Sequence, residues 1–368
     1  MGMLATLFLL AACGKSHVGS APDADVDPGP AWRPGQVSQA EALDLAREFS
    51  TRSMAISSYA ELGPALSQSL EYARKKPQDV LALNQPWLRL TWRQVALSLE
   101  HLLAALPRLD QDPGILAREF TWYRGDPETL LTGYYEPWLN ASLTPHPDYP
   151  YALYSPPSDR SRYSREAIDF GGALAGRGLE VAWVDNLVDV YFLHVQGSGR
   201  LALRDGGSMH AIYAGTNSHE YVGLGRFMVE QGLFSEEDMS MQAIRSYFEA
   251  NPHTMPELMS VNPKYIFFQL SAHGPFGSTT AELTPRVSVA VDPEYIPYAS
   301  LLALDAILPG HQGPDERHFG LALAQDTGCM AGNHVDLFCG SDERAAYQAG
   351  LMKGSANLYF LVSNLALP

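Results

Sequence analysis

The sequence predicts a mainly β protein behind a block of N-terminal helices, and three observations carry this. Capping signals followed by apolar residues at helical spacing are concentrated in the first third of the chain. From about Phe120 the texture changes to short apolar or alternating runs separated by Gly and Pro turns. The 31 Gly and 26 Pro are spread along the chain, as many turns and short strands require. At 368 residues and 46% hydrophobic, there is material for two or three domains and a sizeable core, which excludes a largely disordered chain.

The helices come first. Ser38 and Glu41 have capping-box spacing and open a run through Phe49. Leu62, Leu66 and Leu70 recur at helical spacing before Lys75, Lys76 and a stop at Pro77. Thr91 and Gln94 form a second capping-box pair, leading into Val95, Leu99, Leu102, Leu103 and Leu106, with Pro107 expected to end the helix. These stripes read as core faces. Further on, Val188, Val190 and Phe192 alternate with Asp189, Tyr191 and Leu193, which predicts a mostly buried strand. Helices are expected over 220–231 and 240–250, then strands over 286–291, 318–325, 334–338 and 358–363. A short helix is expected after Ser341, through Arg344 and Tyr347, with Gly350 as its C-terminal stop.

Charge narrows the function. Lys and Arg number 25 against 41 Asp and Glu, a net charge of −16, whereas a nucleic-acid binder shows a basic patch. No nucleic-acid partner is therefore expected. No apolar run reaches the roughly 18 residues of a membrane-spanning helix. Residues 3–12 (MLATLFLLAA) form an apolar run of signal-peptide length that ends at Cys13. Small residues before a Cys resemble the lipobox of bacterial lipoproteins, in which cleavage leaves the Cys as an acylated N-terminus. Residues 1–12 then read as a lipoprotein signal peptide and 13–37, rich in Pro, Gly, Ala and Asp, as a tether. Lys15 stands two positions after Cys13 in place of the Asp expected for inner-membrane retention. The expected location is periplasmic, lipid-anchored to the inner leaflet of the outer membrane. Cys329 and Cys339 remain as an even pair that an oxidising compartment permits to bridge. Closing that loop would contribute about 3 kcal/mol; two buried free thiols are the other reading.

The chain has no Walker loop, no HExxH and no GxSxG, and its 11 His lack zinc spacing, so neither a nucleotide cofactor nor a catalytic metal is expected. Four segments stand out. Residues 131–137 (LTGYYEP) pair Tyr134 and Tyr135 beside Thr132, a combination that suits stacking on sugar faces or, equally, a strand with aromatic core residues. In 195–200 (VQGSGR), Gln196, Gly197, Ser198 and Gly199 offer amide, hydroxyl and bare backbone to a neutral polar ligand, or form a tight hairpin turn. Asp292, Asp326 and Asp336 lie at or in predicted strands. The first two suit turn formation. Asp336 falls mid-strand on the face of His334 and Phe338, opposite Val335, Leu337 and Cys339, where a carboxylate is costly unless exposed or partnered. The short helix after Gly340 is the fourth, its N-terminus presenting positive dipole character near that strand.

Taken together these segments resemble the membrane-bound lytic murein transglycosylase A family. The matching strings, in the family's order, are LTGYYEP, DVYFLHVQGSGRLAL, YAGTNSHEYVGLGRFM, NPKYIFFQL followed by GPFGS, VSVAVD, and AQDTG…NHVDLFCG…AYQAGLMKG. They cover about two thirds of the chain. The C-terminal part resembles the family's 3D domain, named for three aspartates, here Asp292, Asp326 and Asp336. The resemblance implies a double-psi β-barrel with a second β-rich domain inserted and a glycan groove between them. It divides the chain into a helical region leading into the first barrel strands (38–137), the insert (138–258) and the barrel or 3D domain (259–368). The family's single catalytic aspartate corresponds to Asp336, through HVDLF. Thr132, Tyr135, Gln196, Gly197, Ser198 and Gly199 fall on groove-lining segments, and Asp292 and Asp326 on supporting positions. One departure is local: Cys329 follows Gly328 where the family usually has a second glycine, and the loop to Asp336 is shorter.

The activity so implied is cleavage of the β-1,4 bond between N-acetylmuramic acid and N-acetylglucosamine in peptidoglycan, leaving 1,6-anhydromuramic ends, with Asp336 as acid and then base and no cofactor. Peptidoglycan strands are the expected partner, with other wall-synthesis or wall-degrading proteins as further candidates. Two rivals remain: a non-catalytic, expansin-like wall-binding lipoprotein, and an inverting hydrolase in which Asp326 or Glu136 activates water.

Overall fold

The computed structural model describes residues 34–125, 128–328 and 330–367. The signal, Cys13 and the tether up to residue 33 lie outside these residues, as does Cys329. The last residues expected of the tether are part of the fold instead, with Gly35–Gln36 paired to Tyr123 and Arg124 and Val37 buried.

The N-terminal helices form where the capping signals stand. Ser38 Oγ accepts the Glu41 N–H and opens a helix over Gln39–Glu48. The second helix runs over Gly63–Arg74. Thr91 and Gln94 make both bonds of the capping box and open the longest helix, Trp92–Leu109, which buries Val95, Leu99, Leu102 and Leu106 on one face. Pro107 does not end it. A proline loses one hydrogen bond and crowds the carbonyl four residues back, but buried Leu106 and Leu109 hold the last turn to the core. A small antiparallel ribbon, Leu81–Gln85 with Leu88–Thr91, precedes this helix.

Six strands close into a ring. Thr129–Tyr134 pairs in parallel with His334–Phe338, which runs antiparallel to Ser288–Val291. That strand pairs in parallel with Glu316–Asp326, followed in antiparallel by Leu301–Leu308 and Lys353–Ser363. The first half of Lys353–Ser363 returns to Thr129–Tyr134 and shuts the ring, and its second half pairs with Phe120–Arg124 outside it. Leu301–Leu308 is a strand without alternation, buried at nearly every position, which periodicity alone does not reveal. The helices are bolted to the ring by buried polar contacts. Gln325 Nε2 donates to Ala65 O (3.0 Å) and Ser69 Oγ (2.9 Å), while Ser288 Oγ donates to Gln325 Oε1 (2.6 Å). Because side chains alternate along a strand, anchoring Gln325 toward the helices turns Asp326 the other way.

The chain leaves the ring after Glu136 and builds a second, six-stranded sheet in the spatial order Ile266–Ser271, Ser208–Thr216, Gly199–Leu203, Trp138–Ser142, Glu180–Val184, Tyr151–Tyr154. Its outermost strand lies beyond the expected boundary at 258, so the insert extends through Ser271. The run expected as a buried strand is a helix, Leu187–Gln196. Asn186 caps it by accepting the Val188 and Asp189 N–H groups, and Gly197 ends it in the left-handed region at φ 83°. The helix is apolar on two faces because Val190 and Leu193 pack on the sheet while Val188, Tyr191 and Phe192 pack on the helices beyond, so its pattern mimics a strand. Of the helix expected over 220–231, only Leu224–Glu230 forms, whereas Met241–Ala250 forms behind its Ser240 cap. The last helix, Glu343–Leu351, is capped by Asp342 and includes Gly350. Gly350 lies inside the helix beside the end of the Gln242 side chain, whose Nε2 would be 2.7 Å from a Cβ there.

Candidate active site

Asp336 sits at the centre of a row that crosses the ring. Its strand pairs so that Ala290 stands opposite both Asp326 on one side and Asp336 on the other, Asp336 opposite Thr132, and Thr132 opposite Lys353. Neighbours Val335 and Leu337 are fully buried in the core, which turns the Asp336 side chain to the other face. All five members of the row line one cavity of about 920 Å³, together with Gln196, Gly197, Ser198 and Met241 from the insert.

The two cavity carboxyls differ in their partners. Asp326 is pinned. Its Oδ1 accepts the Ser278 N–H and hydroxyl (both 2.9 Å) and the Thr327 N–H (2.8 Å), and its Oδ2 accepts the Tyr134 hydroxyl (3.0 Å). Burial raises its pKa while these donors oppose the rise. Asp336 takes one hydrogen bond, from Thr132 Oγ1 to Oδ1 at 2.7 Å. Burial pushes its pKa up to about 7; the Thr132 bond opposes this and the charge of Asp326 adds to it. Among the described residues, Oδ2 of Asp336 makes no hydrogen bond. The Thr132 hydroxyl has one proton and gives it to Asp336, so it accepts from His334 Nε2 at 2.8 Å, which fixes the Nε2–H tautomer. Burial lowers the His334 pKa and keeps the ring neutral. The chain His334–Thr132–Asp336 thus holds Oδ1 as an acceptor and leaves Oδ2 as the proton-bearing oxygen.

The other expected site residues are placed differently. Asp292 accepts the Glu294 N–H (3.0 Å) and the Gly332 N–H (2.8 Å), tying down the loop that precedes the Asp336 strand. It does not line the cavity. Gln196 lines it but also clips the ring to the insert: its Oε1 accepts the Tyr135 N–H at 3.0 Å and its Nε2 meets Met241 Sδ at 3.6 Å. The Tyr135 ring packs against the main core, outside the cavity lining. Gly199 is a packing glycine, since a Cβ there would lie 2.5 Å from Leu193 Cδ1. Glu136 is buried against His210 (2.5 Å) and Arg200 (3.4 Å), away from the cavity lining. Cys339 is a buried free thiol whose Sγ lies 3.1 Å from where a Cβ on Gly133 would stand. No described cluster of three or more His, Cys, Asp or Glu is placed to hold a metal ion.

Sequence profiles agree with this layout. The profile of the MltA-specific insert domain matches residues 130–269 and that of the 3D domain matches 287–362, together more than half of the chain. The chain belongs to the membrane-bound lytic murein transglycosylase A family. The Vibrio cholerae protein named membrane-bound lytic murein transglycosylase A is 34% identical over 230 residues, which are 61% of this chain and 62% of that relative. The chain therefore matches less than two thirds of that relative's length. Among solved structures, a membrane-bound lytic murein transglycosylase from Agrobacterium tumefaciens superposes with a TM-score of 0.75 at 26% identity, covering 91% of this chain and 99% of that one. The lytic transglycosylase LtgG of Burkholderia pseudomallei gives a TM-score of 0.56 at 26% identity, covering 98% and 100%.

Within this transglycosylase A framework, three cavity residues receive from the sequence alone no role of the kind seen here: Tyr134, read there as half of a tyrosine pair, His334, read there as sharing a face with Asp336, and Lys353. The signal for two of them is period-2 spacing, since His334 is two residues from Asp336 and Tyr134 two from Thr132. Lys353 becomes a site residue only through strand pairing with Thr132 across more than two hundred positions.

Proposed function

We propose that this protein is a peptidoglycan lytic transglycosylase whose acid and base are one residue, Asp336. The observation that carries the reading is the asymmetry of the cavity carboxyls. Asp336 is held near-neutral in its proton affinity with one oxygen free, and Asp326 has four donors on its two oxygens. In the first step Asp336 Oδ2 gives its proton to the glycosidic oxygen between N-acetylmuramic acid and N-acetylglucosamine. The C1–O bond breaks, and C1 of the muramic ring gains oxocarbenium character. The C6 hydroxyl of that ring then bonds to C1 and returns its proton to Asp336, closing a 1,6-anhydro ring with no water consumed. Both reacting groups sit on one sugar, so a high effective molarity stands in for an activated water.

An inverting hydrolase needs a second carboxylate free to activate water. Asp326 is saturated with donors and Glu136 is locked to His210, so neither supports that rival. A binding module has no use for a proton-bearing carboxyl in its cleft. The parallel pairings 129–134 with 334–338 and 288–291 with 316–326 support reading the ring as a double-psi barrel, with the cavity as the glycan groove. Mass spectrometry of soluble fragments from purified murein tests the reaction. Muropeptides one water lighter than hydrolysis products are expected; reducing-end products would overturn the transglycosylase reading.

The same reading places the protein in the periplasm on an outer-membrane lipid anchor. The apolar run 3–12 ending at Cys13 supports it, and no described helix is long and apolar enough to cross a membrane. Intact-mass measurement on detergent-extracted protein is expected to show a chain beginning at acylated Cys13. An unmodified Cys13 would overturn the anchor.

A further inference from the structure

Resting on the glycan-cleaving reading, we propose that Lys353 is the anion-recognition residue of the cavity and takes a carboxylate carried by a substituent of the muramic acid. The cations that reach the cavity are unequal. Arg165 is fully committed: it pairs with Asp169 at 3.2 Å, donates to the carbonyls of Asn262 (3.1 Å) and Lys264 (2.7 Å), and meets His194 at 2.9 Å. Lys264 has partners of its own. Lys353 lines the cavity and makes no hydrogen bond or ion pair among the described residues; the charge of Glu236, from the insert, acts on it without pairing.

Its position is as telling as its lack of a partner. Lys353 opens the strand that closes the ring, directly opposite Thr132, whose hydroxyl holds Asp336. Two inter-strand spacings, about 10 Å, separate the Lys353 and Asp336 backbones. A substituent on a sugar seated at Asp336 reaches that far. Taking an ammonium partly out of water without a partner costs free energy, which a bound carboxylate recovers. The rest of the molecule makes the site necessary: a chain of net charge −16 repels an anionic glycan unless a local cation receives it.

Two sources of carboxylate exist on such a glycan, the lactyl group where no peptide is attached and the stem peptide where it is, because the peptide is joined through the lactyl carboxyl as an uncharged amide; three ligands separate them. Calorimetric binding is measured for chitohexaose, which has no charge, for peptide-free murein glycan with free lactyl carboxyls, and for peptide-bearing glycan. Lys353→Gln is expected to weaken a carboxylate-bearing ligand about 10-fold or more, to leave chitohexaose unchanged, and to be largely rescued in Lys353→Arg. Weakening on the peptide-free glycan alone identifies the lactyl carboxylate, weakening on the peptide-bearing glycan alone identifies the stem peptide, and weakening on both identifies a site that takes either carboxylate. Equal weakening of all three ligands, or none, overturns the assignment while the wild type still releases anhydro fragments. A wild type that binds none of the three overturns the glycan-cleaving reading as well. Thermal unfolding of each variant confirms that it is folded.

Discussion

Asp336→Asn is expected to lower fragment release from murein by about 10³-fold or more while leaving glycan binding within a few-fold. General acid–base catalysis by a positioned group contributes roughly 10²–10⁴-fold in ordinary cases. Here one carboxyl serves as acid in the first half of the reaction and as base in the second, and asparagine can do neither. The Thr132 hydroxyl still finds an acceptor in the asparagine carbonyl, so the shape of the cavity is kept. The same carboxyl sets the pH dependence of the wild type. It must enter the reaction protonated, and its pKa stands at about 7. kcat/KM is therefore expected to fall about tenfold per pH unit above that point. The groups facing Asp336 are Thr132 and Tyr134 on one neighbouring strand, Asp326 beyond Ala290 on the other side, and His334 and Cys339 on its own segment. Burial keeps His334 neutral through the same range and raises the tyrosine and the thiol, so none of these three supplies the limb. A rate that climbs through alkaline pH, or an Asp336→Asn variant within tenfold of wild type, would remove Asp336 from the mechanism.

How much of this is legible in the sequence depends on which distances carry the information. The helix starts at Ser38 and Thr91 are local chemistry, a hydroxyl three residues from the N–H it accepts, and they stand where the spacing places them. The period-2 reading of 334–338 is also local, and it puts Asp336 and His334 on the face that meets Thr132. Leu187–Gln196 reads as a strand because its burial comes from two sides, the sheet and the helices beyond, so no polar face marks the helical period. Leu301–Leu308 is hidden for the same reason within the ring. The site divides in the same way. Thr132 and Asp336 are joined by pairing between strands more than two hundred residues apart, and in the sequence only the family resemblance associates them. Asp326 and Asp292 look alike in sequence, each at a strand end. What separates them is the far partner: Tyr134 draws Asp326 to the cavity, while Gly332 draws Asp292 to a loop.

The acid that makes the reaction possible also destabilises the fold at neutral pH, and the size of that effect is measurable. In the unfolded chain Asp336 titrates near 3.9; in the native cavity burial holds it at about 7. Between those values the native state keeps a proton that the unfolded chain has released. The unfolded state then binds fewer protons, so stability falls as pH rises through this window. At 1.36 kcal/mol per pH unit the whole window amounts to about 4 kcal/mol, an upper bound that local relaxation and water entry reduce. Stability from this group is fully present below pH of about 4 and is lost by the time pH passes about 7. Asp336→Asn cannot titrate. Urea unfolding of wild type and variant at pH of about 4 and about 8 is expected to show the variant gaining on the wild type at the higher pH by up to this amount. Any fixed cost of seating the asparagine amide appears at both pH values and cancels in the difference. Asp326, whose pKa burial also raises, is present in both proteins, so only its coupling to the Asp336 charge enters the difference. A stability difference that does not change with pH would mean that Asp336 is solvated and ordinary. The cavity would then hold no proton at neutral pH to give to a glycosidic oxygen.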